Sequence, residues 1–290
     1  MPKKVLITGA NGQLGLSLYF AIKEVFNTVK TSKEGAGNSI KLDVSCSDNV
    51  RICLKKINPD IIINCASYNS VDQSELDKKS ARDVIVGGLA NLIKYSNIDT
   101  KIIHISSDYL YDGNKGNYSE KDTPDPVNYY GKLKHEAENL LISSKKKCAI
   151  LRCNVVFSHY LDNKSNFLGW VYNNLKNGNK INVVMDQVSN PSPVELICDV
   201  IQSIILLNRY SVYNIGTLEP ISRFEFACKI SEIFNLNSEL IKSVETKFLN
   251  QKAKRPMKTF LKFDKLVKEL GVEVFSSDYY LKRIMKKIDE

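Results

Sequence analysis

Tyr130 and Lys134 stand four residues apart in a stretch of helical pattern, 129–142, so they share one helix face. That spacing suits a proton transfer. A free phenol titrates at roughly 10, too high for acid work at neutral pH, and a lysine on the same face stabilises the phenolate and lowers that value. Ser107 ends an apolar run, the place where reactive groups of open α/β sheets gather. Its hydroxyl is suited to hydrogen-bonding a carbonyl oxygen and sharing the negative charge that develops there. Tyr129 competes as the acid, but Leu133 stands where its lysine would have to be.

A second constellation opens the chain. Gly9-Ala10-Asn11-Gly12-Gln13-Leu14-Gly15 joins the first apolar run to the first helical pattern. Gly9 allows a tight turn, Gly12 lets backbone amides approach a pyrophosphate, and Gly15 lets the helix pack closely. The helix start then offers its free N–H groups and positive dipole end to phosphates. Placed between a first strand and a first helix, Gly9, Asn11, Gly12, Gln13, Leu14 and Gly15 form the expected dinucleotide cradle. An acidic residue ending the second strand would bind a ribose 2′-hydroxyl. The chain has Thr31-Ser32-Lys33 instead, and a hydroxyl with a cation suits a 2′-phosphate. NADP(H) is therefore the favoured cofactor, with Glu34 close enough to keep NAD(H) open.

Elements must hold these groups together. Continuous apolar runs at 5–7, 61–63, 101–105 and 149–151 read as strands buried on both faces, separated by helical patterns at 14–25, 48–57, 75–96 and 129–142. That alternation predicts an α/β fold with a doubly wound parallel sheet of the Rossmann type. Residues 1–152 form the expected dinucleotide-binding domain. Residues 153–290 form a smaller α/β substrate lobe, with segments near 181–216 returning to the first domain, and the cleft between lobes is the expected ligand site.

The chain has 290 residues, 43% hydrophobic and 25% charged, which excludes disordered and fibrous classes. No apolar run reaches the roughly 18–20 residues of a membrane span, and no signal peptide is read at the start. Seven cysteines without a C-x-x-C pair exclude a disulfide framework or zinc ribbon and fit a reduced cytoplasm. The net charge of +9 is spread over scattered lysines, densest at 145–147 and 282–287. These read as solvated helix faces, and no aromatic-and-basic pattern points to nucleic acid. A homodimer is the default assembly for a soluble enzyme.

The stretches VLITGANGQLG (5–15), LDVS (42–45), PDIIINCASYNSVDQSE (59–75), HISSDYLYDG (104–113), PVNYYGKLKHEAE (126–138), LRCNVVFS (151–158) and DQVSNPSP (186–193), with Arg255-Pro256, carry a resemblance over nearly the whole chain. The chain resembles the extended short-chain dehydrogenase/reductase superfamily, and within it the dTDP-4-dehydrorhamnose reductase family. The resemblance implies an NAD(P)H-dependent reduction at C4 of a nucleotide-linked 4-keto-6-deoxy sugar. It implies Ser107, Tyr130 and Lys134 as the catalytic triad, with Lys134 also holding the nicotinamide ribose. Asp43 and Val44 would lie by the adenine. Cys65, Ala66 and Ser67 would line the cofactor phosphates and ribose, and Tyr68 the nicotinamide side. Asp108 and Tyr109 would face the sugar. Asn154 and Val155 would close over the nicotinamide, Asn166 would lie near the sugar nucleotide, and Arg255 would face the diphosphate.

Three positions depart from that family. Val155 stands where an aromatic residue usually packs on the substrate, Asp83 replaces an Asn, and Ser17 replaces the Glu that some members use for a dimer-bridging metal, so no metal is implied. Related sugar-nucleotide dehydratases carry an Asp-Glu pair after the catalytic hydroxyl, whereas Asp108 is followed here by Tyr109. A nucleotide-sugar C4 epimerase and a non-catalytic NADP-binding subunit of the methionine adenosyltransferase type are the alternatives.

Overall fold

Isoleucine and valine triplets without polar alternation place both faces of a strand in a core, and the computed structural model shows how. It describes residues 2–289. The strands are β1 (Lys4–Thr8), β2 (Asn27–Ser32), β3 (Ile40–Lys41), β4 (Ile61–Asn64), β5 (Lys101–Ser107), β6 (Cys148–Cys153), β7 (Ile181–Val184), β8 (Val188–Ser189), β9 (Val212–Ile215), β10 (Ile221–Ser222) and β11 (Ile241–Val244). The helices are α1 (Gln13–Ile22), α2 (Ser47–Ile57), α3 (Val71–Leu76), α4 (Lys78–Arg82), α5 (Gly88–Tyr95), α6 (Tyr129–Ser143), α7 (Phe167–Lys176), α8 (Val194–Leu207), α9 (Arg223–Ile233), α10 (Asp264–Leu270) and α11 (Ser277–Asp289).

Seven strands make one parallel sheet in the order β3-β2-β1-β4-β5-β6-β9. Register places Leu6 between Val29 and Ile62, and Ile103 between Ile63 and Ala149. Side chains leave the sheet with a period of two. Val5 and Ile7 enter one core with α1, α7, α8 and α9, while Leu6 enters another with α2, α5 and α6. Ile61, Ile62 and Ile63 divide in the same way, and each is 0% exposed. Truncating any of them to alanine costs about 2–5 kcal/mol. The expected Rossmann-type sheet is therefore present.

Of the 181–216 stretch expected to return to the first domain, β9 is the seventh strand of the sheet and α8 packs on α1. β7 departs from that expectation: it pairs with β11 in a separate two-stranded sheet. The helix expected over 75–96 is interrupted and starts earlier. Ser70 caps α3 by accepting from the Gln73 N–H, and Asp77 ends that helix while capping α4 through the Ser80 N–H. A π-helical turn, Asp83–Gly87, then leads into α5. Asx and Ser side chains compete with helical continuation by this same local bonding. No helix among the described residues is long and apolar enough to cross a membrane.

Candidate active site

The chain order reverses at β1. From β1 it runs outward to β2 and β3, then returns to β4 on the opposite side. Ligands of open α/β sheets bind outside the carboxyl ends of the strands at such a point. Here that point is the crevice between Gly9, after β1, and Cys65, after β4. A cavity of about 560 Å³ opens there and extends toward α7, β7 and the start of α9.

Gly9 has φ +62, and a Cβ on it would lie 2.8 Å from the Ala66 amide nitrogen, so only glycine fits between the two strand ends. The Gly12 cap of α1 has no side-chain bond, and no acidic residue lies in the first turn. The first amides of that helix are left for an anionic ligand. Asn11 faces away from the cavity: its side chain donates to Ser32 Oγ (3.1 Å) and accepts from Ser39 Oγ (3.0 Å). Gln13 lines the cavity and ties α1 to the loop after β6, donating to the Val156 carbonyl (3.2 Å) and accepting from Ser158 Oγ (2.9 Å). Gly12, Leu14 and Gly15 line the cavity as well.

The adenine side is held by local bonds. Ser32 Oγ accepts from Asn11 and from the Gly35 amide. Lys33 reaches Asp43 at 3.5 Å. Burial pushes the Asp43 carboxyl up, but hydrogen bonds from Ser45 and the Lys33 charge hold it below its ordinary value. Val44 is buried under α5. Beyond β4, Cys65 and Ser67 line the cavity, and Ser67 Oγ is buried without a partner. Ala66 is bonded through its amide to Thr8 Oγ1 (3.2 Å). Tyr68 departs from its expected place: it packs with the core on the α2–α6 side and does not line the cavity.

Ser107, Tyr130 and Lys134 meet at the cavity wall. Ser107 is the last residue of β5; its hydroxyl donates to Asp108 Oδ1 (3.0 Å) and accepts from the Tyr109 amide (3.1 Å). Tyr130 is the second residue of α6, whose start is set by Asn128. That side chain accepts from the Gly131 amide (2.8 Å) and donates to the Lys254 carbonyl (2.9 Å). Gly131 is required, because a Cβ there would lie 2.1 Å from the Tyr109 carbonyl oxygen. Tyr129 turns away, packing with the α2–α6 core under the Lys78 ammonium.

The electrostatics differ from the expected pairing. Burial, and then the Asp108 charge, push the Tyr130 phenol up, not down. Lys134 Nζ donates to the Ile105 carbonyl (3.0 Å) and lies 5.7 Å from the Tyr130 ring centre. Burial lowers the Lys134 ammonium to about 8. Desolvation thus outweighs the attraction that would favour a phenolate. Asp108 is buried, and that raises its carboxyl to about 6 in spite of hydrogen bonds from Thr259 Oγ1 (2.5 Å) and Ser107.

On the substrate side, Val155 lines the cavity with φ +34, an uncommon backbone state for a β-branched residue and a mark of local strain. Asn154 is fully engaged behind it, donating to Asn190 Oδ1 (3.0 Å). Asn166 does not face the cavity. Its amide closes the preceding loop by donating to the Ser158 and Tyr160 carbonyls, and its neighbours Ser165 and Phe167 line the cavity instead. Arg255 lines the cavity, but Asp72 holds one arm at 3.0 Å and the Ala253 carbonyl takes the other. Tyr109 packs edge-on to Tyr130 and beside Arg223.

Arg223 was invisible to sequence reasoning. It lines the cavity from the first turn of α9. The one available signal was local: Ser222 and Glu225 form a capping box, which fixes a helix start there. A cation at that start opposes the helix dipole, although Glu225 in the same turn favours it.

A Gly-rich turn at a sheet switch point, with a serine, tyrosine and lysine on one cavity wall, defines a Rossmann-type nucleotide-binding protein of reductase-like build. Comparison with known proteins narrows this. Residues 3–290 match the family model of the RmlD substrate binding domain, and the chain belongs to that family. It is similar to a dTDP-4-dehydrorhamnose reductase of Aggregatibacter actinomycetemcomitans, at 32% identity over 97% of this chain and 98% of the relative. The fold is similar to that of the Bacillus anthracis dTDP-4-dehydrorhamnose reductase in complex with NADP, with a TM-score of 0.91 and 29% identity, covering 99% of this chain and 100% of the other. A methionine adenosyltransferase 2 subunit beta of Mus musculus is 28% identical over 83% of this chain and 75% of its own.

Proposed function

We propose that this chain reduces the C4 ketone of a nucleotide-linked 4-keto-6-deoxy sugar, with NADPH as hydride donor. The observation that carries the reading is the convergence of Ser107, Tyr130 and Lys134 on the cavity that begins at the Gly-rich turn. The residues fit NADP(H). The turn leaves no room for a Cβ at Gly9, α1 presents an uncapped start, and Ser67 Oγ is buried and unpartnered. When bound, the reduced nicotinamide supplies a hydride to the sugar's C4.

Tyr130 keeps its proton at neutral pH because burial holds the phenol up, so it is the donor to the carbonyl oxygen. The Ser107 hydroxyl has one proton, which Asp108 accepts in the structure. Turning that proton to the carbonyl oxygen stabilises the charge that develops there. Lys134 keeps a positive charge near Tyr130 as its proton leaves, and its remaining N–H groups are free for the ribose. The Phe167 and Trp170 rings, 5.6 Å apart on the same wall, help exclude water.

The test is the reverse reaction: purified protein with NADP⁺ and dTDP-L-rhamnose, followed by nicotinamide absorbance. Tyr130→Phe is expected to lower turnover by about 10²–10⁴-fold while NADP⁺ binding persists. NADP⁺ binding without turnover in the wild type would favour the second reading, a regulatory subunit, which the similarity to the methionine adenosyltransferase subunit supports.

A further inference from the structure

Arg223 is unlike the other cations at the site. Its Nη1 is closed to solvent and has no hydrogen-bond partner. Among the described residues no carboxylate lies within ion-pair distance of it. Buried polar groups are almost always satisfied, and a buried charge without a partner is costlier still. The neighbouring charges are already spoken for. Asp72 answers Arg255, Ile105 holds Lys134, and both Asp108 oxygens accept from hydroxyls, of Ser107 and Thr259. Burial lowers the Arg223 pKa, and Tyr109 and Asp108 only partly restore it. The guanidinium stands between the Phe167 ring, 5.8 Å from Cζ, and the Asp108–Tyr109 turn that follows Ser107. An unmet cation at that place awaits an anion that arrives with the ligand.

We propose that Arg223 is an oxyanion subsite for the substrate, gripping the diphosphate of the sugar nucleotide. This rests on the nucleotide-sugar reading above and moves the free cation of the site from Arg255 to Arg223. A guanidinium fork suits this group, because each phosphate presents a pair of oxygens to it.

Calorimetric titration of the NADP⁺-saturated protein tests this. The probes are dTDP, dTDP-glucose and dTDP-glucuronate; the variants are Arg223→Met and Arg223→Lys. A loss of tenfold or more in affinity for all three probes with Met, regained at least threefold with Lys, identifies the diphosphate. A loss confined to dTDP-glucuronate places the anion on the sugar, where a 6-deoxy substrate has none, and overturns the diphosphate subsite. Affinities within twofold of wild type for every probe, or equal losses with Met and Lys, overturn the subsite. A loss for dTDP-glucose without one for dTDP makes Arg223 a reader of sugar hydroxyls and overturns it too. A wild type that binds NADP⁺ but none of the probes overturns the nucleotide-sugar reading, and the subsite falls with it.

Discussion

Two arginines sit inside this molecule in opposite states. Arg152, on β6, engages all three of its guanidinium nitrogens. It bonds both oxygens of Glu138 on α6, at 2.7 to 3.3 Å, together with the Tyr111 hydroxyl (2.7 Å) and the Glu120 carbonyl (3.3 Å). Burial alone would lower its pKa, but these partners raise it. Arg223 is half-buried, its Nη1 has no partner, and the Tyr109 hydroxyl and Asp108 charge beside it do not make up the loss, so its pKa falls. The same side chain is thus a closed structural joint at one end of the sheet and an open valence at the cavity. A buried polar network is stabilising only when every member is satisfied. The unsatisfied one marks where the molecule expects something else to bind.

The largest effect falls on Arg152. Arg152→Met leaves Glu138 buried and unpaired, which costs about 3–5 kcal/mol. The melting midpoint should drop by roughly 6–15 °C. Arg223→Met removes a charge that has no ion-pair partner, so its midpoint should match or exceed that of the wild type in the same thermal scan. Equal losses in both variants would erase the distinction.

Asp108, beside Arg223, makes stability depend on pH. Its carboxyl stands at about 6 in the folded protein against an ordinary 3.8. The folded state therefore binds this proton more tightly than the unfolded state. The resulting destabilisation is absent below about pH 4, grows between pH 4 and 6, and is complete above, reaching about 3 kcal/mol. Asp108→Asn should raise stability at pH 7 by up to that amount, less the cost of weakened bonds to Ser107 and Thr259, and the gain should fade by pH 4. Denaturant melts at the two pH values check this; a gain equal at both would show that the carboxyl charge is not its source.

The smallest effect compares two tyrosines. Tyr111→Phe removes a hydrogen bond to a charged group and should cost about 1.5–3 kcal/mol. Tyr109→Phe removes only the hydroxyl's contact with Arg223 and should change stability by about 1 kcal/mol or less. Its effect should fall on substrate affinity. Urea midpoints and a binding titration on the same samples separate the two outcomes.

What was legible in the sequence was what is local. Tyr130 and Lys134 share a helix face through their own spacing, and the Gly9–Gly15 turn announces itself between a strand and a helix. The sheet followed from aliphatic triplets whose two faces are both buried. What escaped was set by tertiary packing. Arg223 joins the site only because α9 packs against α7 and brings its first turn to a loop more than 100 residues away in the chain. Asn166 carries a side chain suited to a ligand, but an adjacent loop consumes its amide. The sign of the Tyr130 shift could not be read from an i, i+4 spacing, because burial decides it. The break at Asp77 was legible in principle, since Asp three residues before Ser80 is a capping arrangement.

The strap at 253–259 adds a consequence in time. The Ala253 amide bonds Asp72 and Thr259 bonds Asp108, contacts that span 181 and 151 residues of chain. During synthesis the glycine turn, its strands and the Ser107–Tyr130–Lys134 wall all emerge long before the strap that braces them. Contacts of such separation are slow to close and close late. The growing polypeptide thus holds a nucleotide cradle well before it holds a reaction chamber, and a chain that stalls before Thr259 is left with the first and not the second.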